Sequence, residues 1–191
     1  MDIRESLEKA VEVLRAGGVI LYPTDTIWGI GCDACNADAV KKVFEIKRRS
    51  SAKSLVLLAA DMDMVARHVR QIPPVAIDLV EVNDAPMTII YPGGQYLAPE
   101  VLAEDGSVGI RIPLGDDLYC RQLVRRLRKP LVSTSANISG EPSPAGFDDI
   151  SEEIRSAVDY MVPAQFDTAG SGKASQIIKL GLDGEVEVIR A

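Results

Sequence analysis

The apolar run Val19-Ile20-Leu21 passes directly into Tyr22-Pro23-Thr24-Asp25-Thr26-Ile27-Trp28-Gly29-Ile30-Gly31-Cys32-Asp33, and this junction constrains the fold more than any other stretch of the chain. Three consecutive aliphatic residues after Gly17-Gly18 read as a buried strand. Pro23 fixes its own φ and removes a backbone donor, so the segment is not a helix interior. The residues after Pro23 read as a turn-rich loop carrying threonines, an aspartate, an indole and glycines. A buried strand that feeds a polar, glycine-bearing loop is where α/β proteins hold small ligands. Gly29 and Gly31 permit conformations or close approaches that a β-carbon blocks. A plain strand-to-helix connection has the same features, so the ligand reading depends on polar groups elsewhere.

The remaining punctuation predicts helices and strands in mixed order. Asp2 with Glu5 forms a capping pair for a helix running to about residue 16, and Asn36 caps a second running to about residue 47. Residues 54–59 read as a fully buried strand, Asp61 starts a third helix, and Pro73-Pro74 opens a fourth reaching about Val82. Strands are expected at 87–91, 108–112 and 130–132, helices at 116–128 and 148–157, and a closing hairpin at 175–180 and 185–189. There is no strict βαβ rhythm, no internal repeat and no dividing linker. The expected fold is α/β, a single domain over residues 1–191 with a twisted mixed sheet and flanking helices.

Composition excludes several classes. A net charge of −7 argues against indiscriminate nucleic-acid binding, which needs local positive charge. No apolar run approaches the roughly 20 residues of a membrane span, and the N-terminus lacks the apolar core of a signal peptide, so the expected location is cytoplasmic. Cys32 and Cys35 form a C-x-x-C, but only Cys120 and the single histidine, His68, are left to complete a structural zinc site. The thiols are expected to be buried and His68 to lie at the surface, which leaves no Ser-His-Asp machinery. Arg121, Arg125, Arg126, Arg128 and Lys129 fall at helical spacing and read as a solvated helix face.

Three further constellations accompany the first loop. Lys47, Arg48, Arg49 and Lys53 place four cations within seven residues at the entry to a buried strand. The helix dipole explains one or two of them; the full set suits a polyanion such as a triphosphate. Ser133-Thr134-Ser135-Ala136-Asn137, after the strand at 130–132, offers hydroxyls and an amide to phosphate or carboxylate oxygens, though a Ser/Thr-turn uses the same residues. Arg111, in an apolar strand before Pro113, suits a substrate carboxylate bidentately, or faces outward. Gly170-Ser171-Gly172-Lys173 lacks the remaining residues of a phosphate-binding loop and precedes a strand, so it is not one.

Taken in order, YPTDTIWGIG, K-x-R (Lys47, Arg49), R-x-P (Arg111 to Pro113) and S-x-S-A-N closely resemble the YrdC family in its short, single-domain form. The resemblance covers nearly the whole chain. It implies an α/β domain around a deep, positively charged cavity. It also implies a nucleotidyltransferase reaction in which L-threonine, bicarbonate (or CO2) and ATP give L-threonylcarbamoyl-AMP and pyrophosphate. That product feeds threonylcarbamoyladenosine modification of tRNAs reading ANN codons, with transfer by other proteins and at most weak direct tRNA binding here. Magnesium is expected on the ATP phosphates.

The resemblance also implies roles. Thr24 and Thr26 form the threonine and carbamate pocket, with Arg111 on the carboxylate. Lys47 and Arg49 grip the phosphates, assisted by Lys53. Ser133, Ser135 and Asn137 contact nucleotide and acyl-phosphate oxygens. Thr88 and Ser143 lie near the nucleotide, Ser175 near the threonine and Arg190 near the adenosine. Trp28 stands where tyrosine is usual, Asp84-Ala85-Pro86-Met87-Thr88 replaces P-G-P-x-T, and Ser175-Gln176-Ile177 replaces S-T-V. The competing readings are a non-catalytic RNA-binding paralogue, which tends to lose the K-x-R or S-x-N elements, and a carbamoyl-transfer domain of hydrogenase maturation proteins.

Overall fold

The computed structural model describes residues 1–50, 55–168 and 170–191. Helix α1 (Ile3–Arg15) starts where the sequence places it. Glu5 N–H donates to Asp2 Oδ1 at 2.8 Å and Asp2 N–H to Glu5 Oε2 at 2.9 Å, which satisfies two otherwise orphaned donors. Leu7, Ala10, Val11 and Leu14 form its buried stripe. Strand β1 (Ile20–Tyr22) follows, then β2 (Gly29–Gly31), and then α2 (Ala37–Ile46), whose Asn36 cap accepts from Ala39 N–H at 3.1 Å.

The succession continues with β3 (Val56–Leu58), α3 (Met62–His68), α4 (Pro74–Val82), β4 (Met87–Tyr91) and β5 (Val108–Arg111). It closes with α5 (Tyr119–Leu127), β6 (Leu131–Ser135), α6 (Glu152–Ala157), β7 (Tyr160–Met161), β8 (Gln176–Leu180) and β9 (Val186–Arg190). Among the described residues the strands form one nine-stranded sheet, ordered β7-β1-β2-β6-β3-β5-β4-β8-β9. β3 and β5 run parallel, as do β4 and β8, and β1 and β7; the other neighbours are antiparallel, so the sheet is mixed as expected.

Several boundaries differ from the sequence reading. The largest difference is β2, which lies inside the stretch read as a loop. Gly-Ile-Gly carries little strand propensity; the strand forms because β1 and β6 pair with it on both sides. A β-carbon on Gly31 would lie 1.8 Å from the Val132 carbonyl oxygen, and one on Gly29 would lie 3.1 Å from the Thr134 carbonyl oxygen. Gly31 is therefore required by backbone approach, and Gly29 sits where a β-carbon would be tight. The same Val132 carbonyl accepts from the buried Tyr22 hydroxyl at 3.0 Å. β6 runs to Ser135, so Ser133 and Thr134 sit on a strand, while the 148–157 helix is divided into a short 3-10 turn at Phe147–Asp149 and α6. Cys32 and Cys120 are buried and Cys35 half-buried. His68 is also half-buried, with Nδ1 3.3 Å from the Gln95 carbonyl oxygen. Arg121 is tied to the Ala60 and Pro113 carbonyls rather than wholly solvated.

Replacing Gly31 by alanine is expected to lower stability by roughly 2–3 kcal/mol and the unfolding midpoint by roughly 5–10 °C. Gly29→Ala should cost clearly less, because its contact needs only a few tenths of an ångström of relief. Thermal unfolding of both variants checks this, and equal losses would contradict the close-approach explanation.

Candidate functional site

Because β2 lies between β1 and β6, the Thr24–Thr26 turn before β2 and the serines of β6 are neighbours. Thr24 donates its hydroxyl proton to the Ile27 carbonyl at 2.7 Å, and its oxygen accepts from Thr26 N–H at 3.0 Å. With that proton committed, the 2.9 Å contact between the two threonine hydroxyls runs from Thr26 to Thr24. The Thr26 oxygen is left with lone pairs for Arg111, whose Nη2 lies 3.3 Å away.

These elements border a cavity of about 300 Å3. Gly29 of β2, Val56 of β3, Arg111 of β5, Ser133 to Ser135 of β6, Ile177 of β8 and Arg190 of β9 all reach it, and Thr26, Trp28, Arg49, Ser143 and Ser175 complete its polar and aromatic lining. Eight of the expected site residues thus meet around one space: Thr26, Arg49, Arg111, Ser133, Ser135, Ser143, Ser175 and Arg190. The described lining carries three guanidinium groups and no carboxylate.

Four expected residues stand behind that lining. Thr24 shapes the turn. Thr88 is buried, with its hydroxyl 2.7 Å from that of Ser175, so it supports a lining residue. Asn137 donates to the Ile138 and Glu141 carbonyls at 3.1 and 2.7 Å. The Lys47 ammonium is turned into the protein and donates to the main-chain oxygens of Ser135 at 2.6 Å and Asn137 at 2.8 Å. Lys53 lies outside the described residues.

Among the described residues Lys47 is a strongly perturbed cation. Burial, and then the neighbouring Arg49 charge, bring its pKa down from 10.5 to about 8. Its acceptors are neutral carbonyls, which stabilise the ammonium less than a carboxylate does. Burial also lowers the pKa of Arg49. The Tyr22 hydroxyl and the Cys32 thiol, both buried, are pushed far upward and stay neutral.

Two acidic residues that the sequence left without a role organise the rim. Asp25 forms a buried ion pair with Arg111. Asp167 accepts from the Trp28 indole N–H at 2.7 Å, while the Trp28 ring meets Phe147 edge-on at 4.9 Å. The segment after Asp167 lies against the first loop: Ser171 N–H donates to the Asp25 carbonyl at 3.0 Å and Gly172 N–H to the Thr26 carbonyl at 2.9 Å. A β-carbon on Gly170 would lie 2.5 Å from the Thr26 carbonyl oxygen. Gly170 therefore serves loop-to-loop contact. No sequence signal ties Asp167 to Trp28; Asp25 stood in view between two assigned threonines.

The fit to magnesium is poor on the protein side. The cavity lining offers hydroxyls and guanidinium groups, and no cluster of three or more metal-ligating side chains occurs among the described residues. No helix of the described residues is long and apolar enough to cross a membrane.

Known proteins resemble this chain in sequence and in fold. The family model for Sua5, YciO and YrdC proteins, described as telomere recombination, matches residues 12–191. The threonylcarbamoyl-AMP synthase of Stenotrophomonas maltophilia is 40% identical over 140 residues, covering 72% of this chain and 74% of its own. That of Hahella chejuensis is 32% identical over 173 residues, covering 90% of this chain and 91% of its own. Among solved structures, P. abyssi Sua5 complexed with L-threonine superposes with a TM-score of 0.81 at 26% identity, over 94% of this chain. This chain spans about half of that protein, 52% of its length. E. coli YciO, at 24% identity and a TM-score of 0.82 over 99% of this chain and 89% of its own, shares the fold. A family model matched from residue 12 to the last residue, together with relatives at these identities, establishes that the chain belongs to the Sua5/YciO/YrdC family.

Proposed function

We propose that the cavity synthesises L-threonylcarbamoyl-AMP and pyrophosphate from L-threonine, bicarbonate (or CO2) and ATP. The observation that carries this reading is the meeting of Arg49, Arg111 and Arg190 with four serine hydroxyls in one cavity whose described lining carries no carboxylate. Such a lining suits a reaction whose substrates bring the negative charge. Relatives named for this product support it along 90% of the chain, and a Sua5 relative was solved with L-threonine bound.

The chemistry asks for little beyond positioning. The threonine amine adds to CO2, and loss of a proton leaves a carbamate. A carbamate oxygen then attacks the α-phosphorus of ATP, and pyrophosphate departs with the bond to the α-phosphorus. No protein nucleophile is required; oriented donors at the developing charge each contribute roughly 2–4 kcal/mol. In this assignment Arg111 takes the threonine carboxylate and Thr26 and Ser175 border the amino acid. Arg49 meets the phosphates, Ser133, Ser135 and Ser143 meet nucleotide and acyl-phosphate oxygens, and Arg190 lies by the adenosine. Thr24, Thr88 and Asn137 act through the residues they brace.

Lys47 grips phosphate only after leaving the Ser135 and Asn137 carbonyls, so ATP competes with two hydrogen bonds for it. Magnesium enters as an ion carried on the ATP phosphates, with no ligand cluster of its own among the described residues. We assign the protein to the cytoplasm, as one domain, with its product passed to proteins that modify tRNA. The non-catalytic RNA-binding reading gains nothing from the relatives, which are named as synthases.

The wild-type protein is expected to release pyrophosphate from ATP only when threonine and bicarbonate are both present; release that ignores threonine would contradict the substrate assignment. Arg49→Ala should raise the ATP KM about tenfold, the loss of one charge-assisted contact, with little change in unfolding midpoint. Loss of the native fold would instead assign Arg49 a structural role. ATP affinity should fall as pH rises through about 8, because Lys47 loses its proton there. The stability effect has the opposite sign: the charged ammonium is a cost below about pH 8, relieved as pH climbs towards 10.5. An NMR titration of the Lys47 side chain reads the midpoint directly, and a midpoint at the ordinary value of 10.5 would contradict the burial argument.

A further inference from the structure

Asp25 is not among the residues that line the cavity, yet its carboxylate pairs with Arg111, which is. The Arg111 and Asp25 side chains are only 4% and 6% exposed. A guanidinium buried to that degree needs a counter-charge, and among the described residues Asp25 is the carboxylate paired with it. Both Asp25 oxygens are committed. Oδ1 accepts from Arg111 Nη1, and Oδ2 accepts from Leu114 N–H at 3.3 Å, in the turn that follows β5. The carboxylate is thereby fastened to the same strand exit that carries the arginine.

The main chain of Asp25 is held as well, its carbonyl accepting from Ser171 N–H at 3.0 Å. Arg111 has a second anchor in Thr26 Oγ1, at 3.3 Å from Nη2. Two neighbouring residues of one turn therefore take one N–H from each terminal nitrogen of the guanidinium. A planar guanidinium held at two points has its plane and its remaining donors fixed in direction. Arg111 still contributes to the cavity lining, and its guanidinium keeps donors beyond the two taken by Asp25 and Thr26. A neutralised pair also differs from a bare cation: it attracts diffuse anions weakly and rewards a carboxylate that arrives in the correct plane.

We propose that Asp25 is the positioning residue for the amino-acid carboxylate: by pairing with Arg111 behind the cavity wall, it aims that guanidinium and sets the affinity for the amino-acid substrate, not for ATP. The inference rests on the reading in which Arg111 receives the threonine carboxylate. It divides the site into two independently tuned parts, Asp25-Arg111-Thr26 for the amino acid and Arg49 with Lys47 for the phosphates.

The test compares wild type, Asp25→Asn and Asp25→Glu by pyrophosphate release, with the KM for threonine and the KM for ATP measured separately and ATP binding followed by calorimetry without threonine. Asp25→Asn keeps the size and removes the charge; it is expected to raise the threonine KM about tenfold or more while the ATP KM and ATP binding stay within about twofold. Asp25→Glu restores the charge one methylene further out and should fall between Asp25→Asn and wild type in threonine KM. Unchanged threonine KM in Asp25→Asn, or threonine and ATP KM rising together in both variants, would overturn the proposal, because general loosening does not separate the two substrates. Should Asp25→Asn not fold, Asp25→Glu decides by the same pair of values: a raised threonine KM alone supports the role, and no change or a joint rise overturns it. Wild-type protein without threonine-dependent release would overturn the functional reading and this inference with it. Active wild type beside an indifferent Asp25→Asn overturns the inference alone.

Discussion

The contact between β2 and β6 is the constraint on which the site depends. Gly31 lies so close to Val132 that no side chain fits between them, and a β-carbon on Gly29 would be tight against the Thr134 carbonyl oxygen at 3.1 Å. That approach makes the Thr26–Gly29 stretch and the Ser133–Ser135 edge adjacent walls of one cavity. The Tyr22 hydroxyl and the Cys32 carbonyl close the same joint from either end, bonding Val132 O and N–H at 3.0 and 2.8 Å. Main chain against main chain leaves little room for drift, so hydroxyls on neighbouring strands keep a fixed spacing. A site that works by position and charge alone needs this rigidity.

Two buried cations are stabilised in opposite ways, and the difference bears on function. Arg111 has a carboxylate partner and is held in place. Lys47 has only neutral oxygen partners, the carbonyls of Ser135 and Asn137 and more distantly the Ser135 hydroxyl, and burial and the Arg49 charge lower its pKa, so its contacts are exchangeable. A fixed, neutralised guanidinium suits recognition of a planar carboxylate that must be presented to a second reactant. An exchangeable ammonium suits a polyphosphate, which offers more negative charge than the carbonyls it displaces. Lys47 also joins the helix α2 terminus to the stretch that ends β6 and follows it, since its Nζ bonds the Ser135 and Asn137 carbonyls and its own carbonyl accepts from Ser139 N–H at 2.9 Å. Its departure towards phosphate would therefore be felt along the β6 wall.

Much of this was legible in the sequence. The Asp2-Glu5 and Asn36 caps, the apolar strand runs and the ordered polar motifs identified the helices, the mixed sheet and eight of the residues around the cavity. Periodicity was silent on β2, because Gly-Ile-Gly has neither alternation nor β-branched neighbours and exists as a strand only through its partners. The end of β6 was missed for a related reason: Ser133, Thr134 and Ser135 look like a turn until strand pairing satisfies their backbone. Charge alone could not tell which way Lys47 points, since a cation at a helix terminus serves a phosphate or a carbonyl equally well on paper. The roles of Asp25 and Asp167 depend on contacts with Arg111 and Trp28 across long sequence separations, which no local pattern records.

One cavity is thus assigned two anions at the same time, an amino-acid carboxylate on Arg111 and a triphosphate on Arg49. A crystal structure of the protein with L-threonine and an ATP analogue that resists cleavage between the α and β phosphorus tests this most directly. The expected result places the threonine carboxylate against Arg111, with Asp25 still paired behind it, and the phosphates against Arg49, with the α-phosphorus facing the threonine amine. Threonine bound away from Arg111, or a nucleotide bound outside the space bordered by β2 and β6, would contradict it.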